Sequence, residues 1–244
     1  MNRTEIMKRM SLGIMLSLLF IFSVGIAKAA DEPYGVNSAH VENSETYNTS
    51  EISPKQVNAQ AGNVSELSLN ATAITKHWQG FYGNVTGEII LADASGNNFY
   101  DWNLSVPSGQ VFASRSDAVS WSTINCSNDT QVSQEETYLN QSASDPDSVS
   151  NTFTLTSHPD FMIGSTNITG CYSTKAYDSS GGQGADDFWQ ILLSDSSDNT
   201  VYSTVIEDSA VAGFNNQPWH FELLVGEKGT DQATTPYYFY VQIE

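Results

Sequence analysis

The chain has 244 residues, with 9 Lys or Arg against 28 Asp or Glu and a formal net charge of −19. Phosphate neutralisation needs clustered Lys and Arg. There is no such cluster, so nucleic acid is excluded as a partner, as is electrostatic docking on anionic lipid. The negative surface first implies solubility and mutual repulsion; it would also attract divalent cations, so calcium enters as a possible cofactor, with none required.

The first element is a basic start, Arg3, Lys8 and Arg9, followed by an apolar run from Met10 to Ala27 and a small-x-small site at Ala27-Lys28-Ala29. This three-part layout predicts a signal peptide over 1–29, cut before Ala30, and a secreted or cell-surface protein. The run also has the length of a short membrane span, roughly 17–25 residues. An uncleaved signal would therefore be an N-terminal anchor; after cleavage no membrane insertion of the mature chain is expected. Removing Arg3, Lys8, Arg9, Lys28 and Glu5 leaves 5 basic and 27 acidic residues, a mature charge of −22.

Residues 30–60 are mostly Asn, Ser, Glu and Thr, and read as a flexible polar leader that buries too little apolar surface to order itself. From about residue 61 the texture changes to short β-branched and apolar runs broken by turn residues. No window of a dozen residues keeps a helical period, so strands alone are expected. Two hairpins stand out: 88–92 with 98–102 around Asp93-Ala94-Ser95-Gly96-Asn97, and 190–194 with 200–206 around Asp195-Ser196-Ser197-Asp198-Asn199. They match at a constant offset, with Ile89, Asp93, Ser95, Asn97 and Tyr100 recurring as Ile191, Asp195, Ser197, Asn199 and Tyr202. Either a duplicated half-domain or shared turn chemistry accounts for this.

The runs 89–91 and 191–193 are apolar on both faces, which predicts strands packed between layers. In the last strand Phe239, Val241 and Ile243 share one face, and Tyr238, Tyr240 and Gln242 the other. Trp102, Trp121, Trp189 and Trp219 stand beside strand patterns and are expected in the core. The expected architecture is all-β: an antiparallel β-sandwich, immunoglobulin-like or jelly-roll-like, over 61–244.

The block Asn63-Val64-Ser65-Glu66-Leu67 followed by Trp78-Gln79-Gly80-Phe81-Tyr82-Gly83-Asn84-Val85-Thr86-Gly87 resembles a recurring feature of secreted and cell-surface β-rich proteins of archaeal type. In those proteins the Asp93–Asn97 hairpin, a Trp121-Ser122 strand ending near Cys126, and Tyr237-Tyr238-Phe239-Tyr240 follow in the same order. The resemblance spans about Asn63 to Glu244. It implies an exported β protein and no catalytic residue.

Cys126 and Cys171 are the only cysteines, and in an exported chain they predict one disulfide. Asn-x-Ser/Thr triplets begin at Asn48, Asn63, Asn70, Asn84, Asn103, Asn125, Asn128, Asn140 and Asn167. They are acceptor positions for N-linked glycan if the host has the pathway, and polar turn and strand residues if it does not. Asp195, Ser197 and Asn199 are spaced like the first oxygen ligands of a calcium loop, with Glu207 too late to close it; Asp93, Ser95 and Asn97 repeat the spacing, and Asp145-Pro146-Asp147 is a further candidate. Simple turns favour the same residues.

No Gly-x-Ser-x-Gly elbow accompanies His40, His77, His158 or His220. His220 and Glu222 alternate on one strand face and could share a ligand, yet the Cys half of a zinc deaminase signature is missing. Asp186 and Asp187 follow the loop Gly181-Gly182-Gln183-Gly184 and could line a site. Trp78, Phe81 and Tyr82 could stack on sugar rings, flat apolar faces with polar edges. Three classes of function follow. The first is a structural or adhesive surface or matrix protein that self-associates or meets other surface proteins and glycans; its leader would tether it or donate a strand. The second is a carbohydrate-binding module, and the third, ranked last, a secreted glycan hydrolase. No residue is nominated as catalytic.

Overall fold

The computed structural model describes residues 31–47, 53–104, 107–184, 186–229 and 234–243. The proposed signal peptide and the Asn48 triplet lie outside the described residues.

In chain order the elements are β1 (Tyr34–Gly35), β2 (Trp78–Gly83), β3 (Gly87–Ala92), β4 (Asn98–Leu104), β5 (Gly109–Ser114), a 3-10 turn at Trp121–Thr123, β6 (Asn125–Cys126), α1 (Asp129–Leu139), α2 (Val149–Thr152), β7 (Phe161–Ile163), β8 (Thr166–Ile168), β9 (Ser173–Lys175), β10 (Trp189–Ser194), β11 (Thr200–Val205), β12 (Val211–Ala212), β13 (Pro218–Trp219), β14 (Phe221–Gly226) and β15 (Tyr238–Ile243). All pairings are antiparallel. The chain is all-β in class, as its strand patterns imply.

The central sheet runs β1-β15-β5-β11-β10-β6, and β9 shares the outer edge of β10 with β6. Both faces are buried, because alternate residues of each strand enter different cores. On one face Val111, Ala113, Leu192, Tyr202 and Val241 pack against Val132 and Leu139 of α1, Phe153, and Leu223 and Val225 of β14. On the other, Phe112, Ile191, Leu193, Val201 and Tyr240 pack against Trp121, Ile124 and the β7–β8 hairpin. The first cover is therefore a two-stranded β2–β14 ribbon completed by a helix, and the second a short hairpin with the 3-10 turn.

A buried glutamine fastens each cover to the sheet. Gln190 donates to the carbonyls of Phe188 and Glu222 and accepts from the Leu224 N–H at 2.8 Å. Gln242 donates to the Met162 carbonyl at 2.8 Å. The Cys126–Cys171 disulfide, with Cα atoms 4.9 Å apart, ties β6 to the segment entering β9, so it clamps the two short strands that share one edge.

Four expectations are corrected. First, α1 is a helix of 11 residues where only strands were expected. Asn128 caps it, accepting from the Thr130 and Gln131 N–H groups while Gln131 accepts from the Asn128 N–H, and Asn140 closes it in the left-handed region at φ 58°. Second, Trp102 is 50% exposed and Trp219 only half-buried, whereas Trp121 and Trp189 are core residues as expected. Third, Ile191–Leu193 is fully buried, but Ile89, Ile90 and Leu91 are each about half exposed. The reason is topological: β10 has neighbours on both edges, whereas β3 and β4 pair only with each other. Fourth, Trp121-Ser122, expected in a strand, lies in the 3-10 turn.

From the leader, Tyr34 and Gly35 pair with Val241 and Tyr240 as the edge strand of the central sheet. The described residues from 37 to 76 are exposed, so packing of the body begins at His77 and Trp78.

Candidate interaction surfaces

The β3–β4 hairpin is a two-sided arm. Across the ladder Ile89 faces Trp102 and Leu91 faces Tyr100, with Gly87 opposite Leu104 at the base. Residues directly opposite share a face, and the face flips at each step. One face is thus Ile89, Leu91, Tyr100 and Trp102, with the Tyr100 and Trp102 rings 4.9 Å apart. The other carries Glu88, Asn103, Ile90 and Asp101. Among the described residues nothing covers the apolar face: its four side chains are 49, 51, 58 and 50% exposed in the order named. The base is seated, since a Cβ on Gly87 would collide with the Ile243 side chain of β15.

The turn of the arm repeats that of the core hairpin bond for bond. Asp93 Oδ1 accepts from the Ser95 and Asn97 N–H groups and Oδ2 from the Asn97 amide. Asp195 does the same with Ser197 and Asn199, and its Oδ2 also accepts from the Ser120 N–H at 2.9 Å. Burial pushes the Asp195 carboxyl up, but these N–H groups outweigh it and hold the group below the usual carboxylate range. Both oxygens thus already face positive donors, and a calcium ion at Asp195, Ser197 and Asn199 would compete with them. Asp145 accepts from the Ser142 N–H and Asp147 from the Thr75 hydroxyl, which pins the end of the exposed segment.

Of the three aromatic residues proposed for sugar stacking, Trp78 and Phe81 serve the core. Trp78 donates to the Asp147 carbonyl at 2.7 Å and packs on Phe153 and Tyr202; Phe81 stands edge-on to Phe239 at 5.2 Å. Tyr82, on the opposite side of β2 from Phe81, points outward and meets Phe214 at 5.0 Å and Trp219 at 4.9 Å. Tyr82 and Phe214 are 41 and 52% exposed. Sequence reasoning missed Phe214 because it lies in a turn, after Gly213 and before Asn215-Asn216, with no strand pattern around it.

Beneath this cluster Glu222, opposite Tyr82 in the β14–β2 ladder, accepts from the Phe214 N–H at 3.0 Å. Burial pushes its carboxyl up to about 7, with Asp178 adding repulsion against the one hydrogen bond that lowers it. His220 instead accepts from the Val85 N–H at 3.3 Å, so the two residues hold different loops. His158 bridges the Pro159 carbonyl and the Cys171 N–H. Among the described residues no group of three or more His, Cys, Asp or Glu is disposed to hold a metal.

Asp186, Asp187, Glu207 and Asp208 line a cavity of about 340 Å³ with Pro159 and Trp189. Burial raises the Glu207 carboxyl, with Asp187 and Asp208 adding to it and the Phe188 N–H opposing. Of the glycan acceptor candidates, Asn63, Asn70, Asn84, Asn103, Asn125, Asn128, Asn140 and Asn167 are all exposed. Asn128 and Asn140 double as the two caps of α1.

No protein-family model, no curated protein and no solved structure matches the chain. Fold and site geometry define a class, an all-β protein with one disulfide. Structural disulfides persist in oxidising compartments, and among the described residues no helix is long and apolar enough to cross a membrane.

Proposed function

We propose that the protein is a secreted, N-glycosylated structural or adhesive component of a cell surface or extracellular matrix that assembles with further copies of itself. The observation that carries this reading is the leader strand. Tyr34 and Gly35 already form the sheet edge on β15, with a single partner strand, and residues 37 to 76 connect them to the body. At about 3.3 Å per residue, that connection spans on the order of 100 Å when extended, enough to lay the same strand on the β15 edge of a neighbour. The exposed sequons and the export-type disulfide support a surface location.

The test is the assembly state of residues 30–244, followed by light scattering and negative-stain microscopy, with calcium and with chelator. Large oligomers or filaments that vanish on deleting 31–60 are the expected result. Polymers that survive the deletion refute the strand-donor route, and a monomer under every condition refutes the structural reading. Loss of assembly with chelator alone would assign calcium to the Asp-rich turns.

A second reading is favoured by the cluster of exposed Tyr82 and Phe214 with half-buried Trp219: binding of carbohydrate on outward-facing aromatic rings. Tyr82→Ala should then weaken retention on polysaccharide without moving the melting temperature. Equal retention of both proteins refutes it.

A further inference from the structure

The apolar face of the β3–β4 arm has no cover among the described residues, and the chemistry around it restricts what the cover is. From Lys76 to Arg115 the chain has no Lys or Arg, while Glu88, Asp93 and Asp101 all sit on the arm. Interfacial segments that bind lipid carry cations on the polar side to meet headgroups, and this arm offers only carboxylates. The turn itself, Asp93 to Asn97, is polar; Phe99 beside it is 84% exposed, but the four grouped apolar side chains lie along the shaft, which suits packing against another flat ribbon better than insertion by the tip. The face is also self-complementary: both cross-strand pairs join an aliphatic to an aromatic residue, Ile89 with Trp102 and Leu91 with Tyr100.

We propose that the occupant is the same face of a second copy, the two arms stacking as a four-stranded miniature sandwich about a two-fold axis. This rests on the structural reading above and names its contact surface. Taking about 150–250 Å² for each whole side chain, the four half-exposed side chains present roughly 300–500 Å² per copy. Two copies then bury at most about 600–1,000 Å², at or below the lower bound for a specific interface, which makes the dimer a weak one. Stacking by these faces turns Glu88, Asp101 and Asn103 of both copies outward. The carboxylates stay in solvent, where salt screens their repulsion, and a glycan on Asn103 leaves the contact clear. Closed two-fold pairing is the commonest oligomer symmetry. Combined with leader exchange at the β15 edge, it gives each copy two independent contacts, which is what a chain of copies requires.

The test uses single-cysteine variants of the full chain, because the two native cysteines are bridged and no free one competes. Leu91→Cys places a thiol on the apolar face and Ile90→Cys one on the opposite face of the same strand. Under mild oxidation Leu91→Cys should form inter-chain disulfides at least about tenfold faster. In sedimentation equilibrium at micromolar to millimolar protein, the wild type should dimerise more tightly as salt rises. Trp102→Asp should weaken that dimer by about tenfold or more, as loss of a central aromatic anchor does, while the melting temperature holds, since the arm lies outside both cores. Equal cross-linking of the two variants overturns the proposal, as does a dimer indifferent to Trp102→Asp or a monomer throughout. Co-sedimentation of a monomer with phosphatidylcholine vesicles, abolished by Trp102→Asp, also overturns it and assigns the face to lipid. Polymers that are lost on deleting 31–60 but survive Trp102→Asp refute the arm contact alone and leave the structural reading standing.

Discussion

Glu135 is the most demanding residue of the fold, and removing its counter-ion gives a sharp test of how the core is held. It lies on the inner side of α1, 2% exposed. Its two oxygens accept from both terminal nitrogens of Arg115 at 2.5 Å, from Thr200 Oγ1 at 2.8 Å and from the Tyr202 hydroxyl at 2.6 Å. Arg115 is held in turn by the Tyr138 ring, 3.8 Å below its guanidinium, and by the Tyr237 hydroxyl at 3.2 Å. Arg115→Met keeps much of the side-chain volume and leaves the carboxylate with two hydroxyl donors and no cation. Breaking a buried pair in this way costs about 3–5 kcal/mol, against a domain stability of ~5–15 kcal/mol. With a urea slope of about 2 kcal/mol per molar, the unfolding midpoint should fall by roughly 2 M.

A second substitution separates the charge effect from lost packing. If the cost is an uncompensated buried carboxylate, adding Glu135→Gln to Arg115→Met removes that charge and should recover much of the loss. If the cost is only the lost contact with Tyr138, the double variant is no more stable than Arg115→Met. A loss below about 1 kcal/mol at pH 7, or a double variant no more stable than Arg115→Met, would refute the assignment of Arg115 as the counter-ion that makes burial of Glu135 tolerable.

Two further outcomes are expected. Glu222 is raised from 4.5 to about 7 by burial, so the folded state holds its proton more tightly than the unfolded chain. Its contribution is fully present below about 4.5 and is lost as pH rises through 7; Glu222→Gln should flatten that slope and stabilise the protein at pH 8 by about 1–2 kcal/mol, allowing for solvent at the site. A variant that keeps the wild-type slope in thermal melts refutes this. The twin turns give the other test: Asp195, itself buried, loses four acceptor bonds in Asp195→Ala, which should cost about 2–3 kcal/mol in urea unfolding, whereas Asp93→Ala should leave global stability within about 0.5 kcal/mol. Equal effects would mean the arm belongs to the cooperative core.

The strands were legible because their signal is local. Both hairpins, the two faces of β15 and the Cys pair follow from alternation, turn residues and cysteine count. The helix was not legible from periodicity, for a reason the structure supplies. Its inner stripe is Val132, Glu135, Glu136 and Leu139, and two of those four positions read as a solvent face. They are buried only because Arg115 reaches Glu135, while Glu136 accepts from the Ser150 N–H and hydroxyl at the start of α2. Both partners are distant in sequence, so no window of a dozen residues contains the compensation. The cap is legible, since Asn128 followed three residues later by Gln131 is a capping box, although the same residues also spell a sequon.

Turn chemistry specifies a hairpin and is silent about its neighbours. The Asp-x-Ser-x-Asn turn folds β10–β11 and β3–β4 alike, yet Ile191 is wholly buried and Ile89 half exposed. The difference lies in what flanks each pair: β5 lies beside β11 and β9 and β6 lie beside β10, while among the described residues β3 and β4 pair only with each other. A bare, apolar ribbon is a hazard that monomeric proteins suppress with charge, proline or cover. This arm has its strand carboxylates, Glu88 and Asp101, on one face beside Ile90, and gathers Ile89, Leu91, Tyr100 and Trp102 on the other, with Phe99 exposed next to the turn. The proposed stacking of two arms accounts for that grouping, because a ribbon solvated on both sides gains nothing from gathering four large apolar side chains on one face.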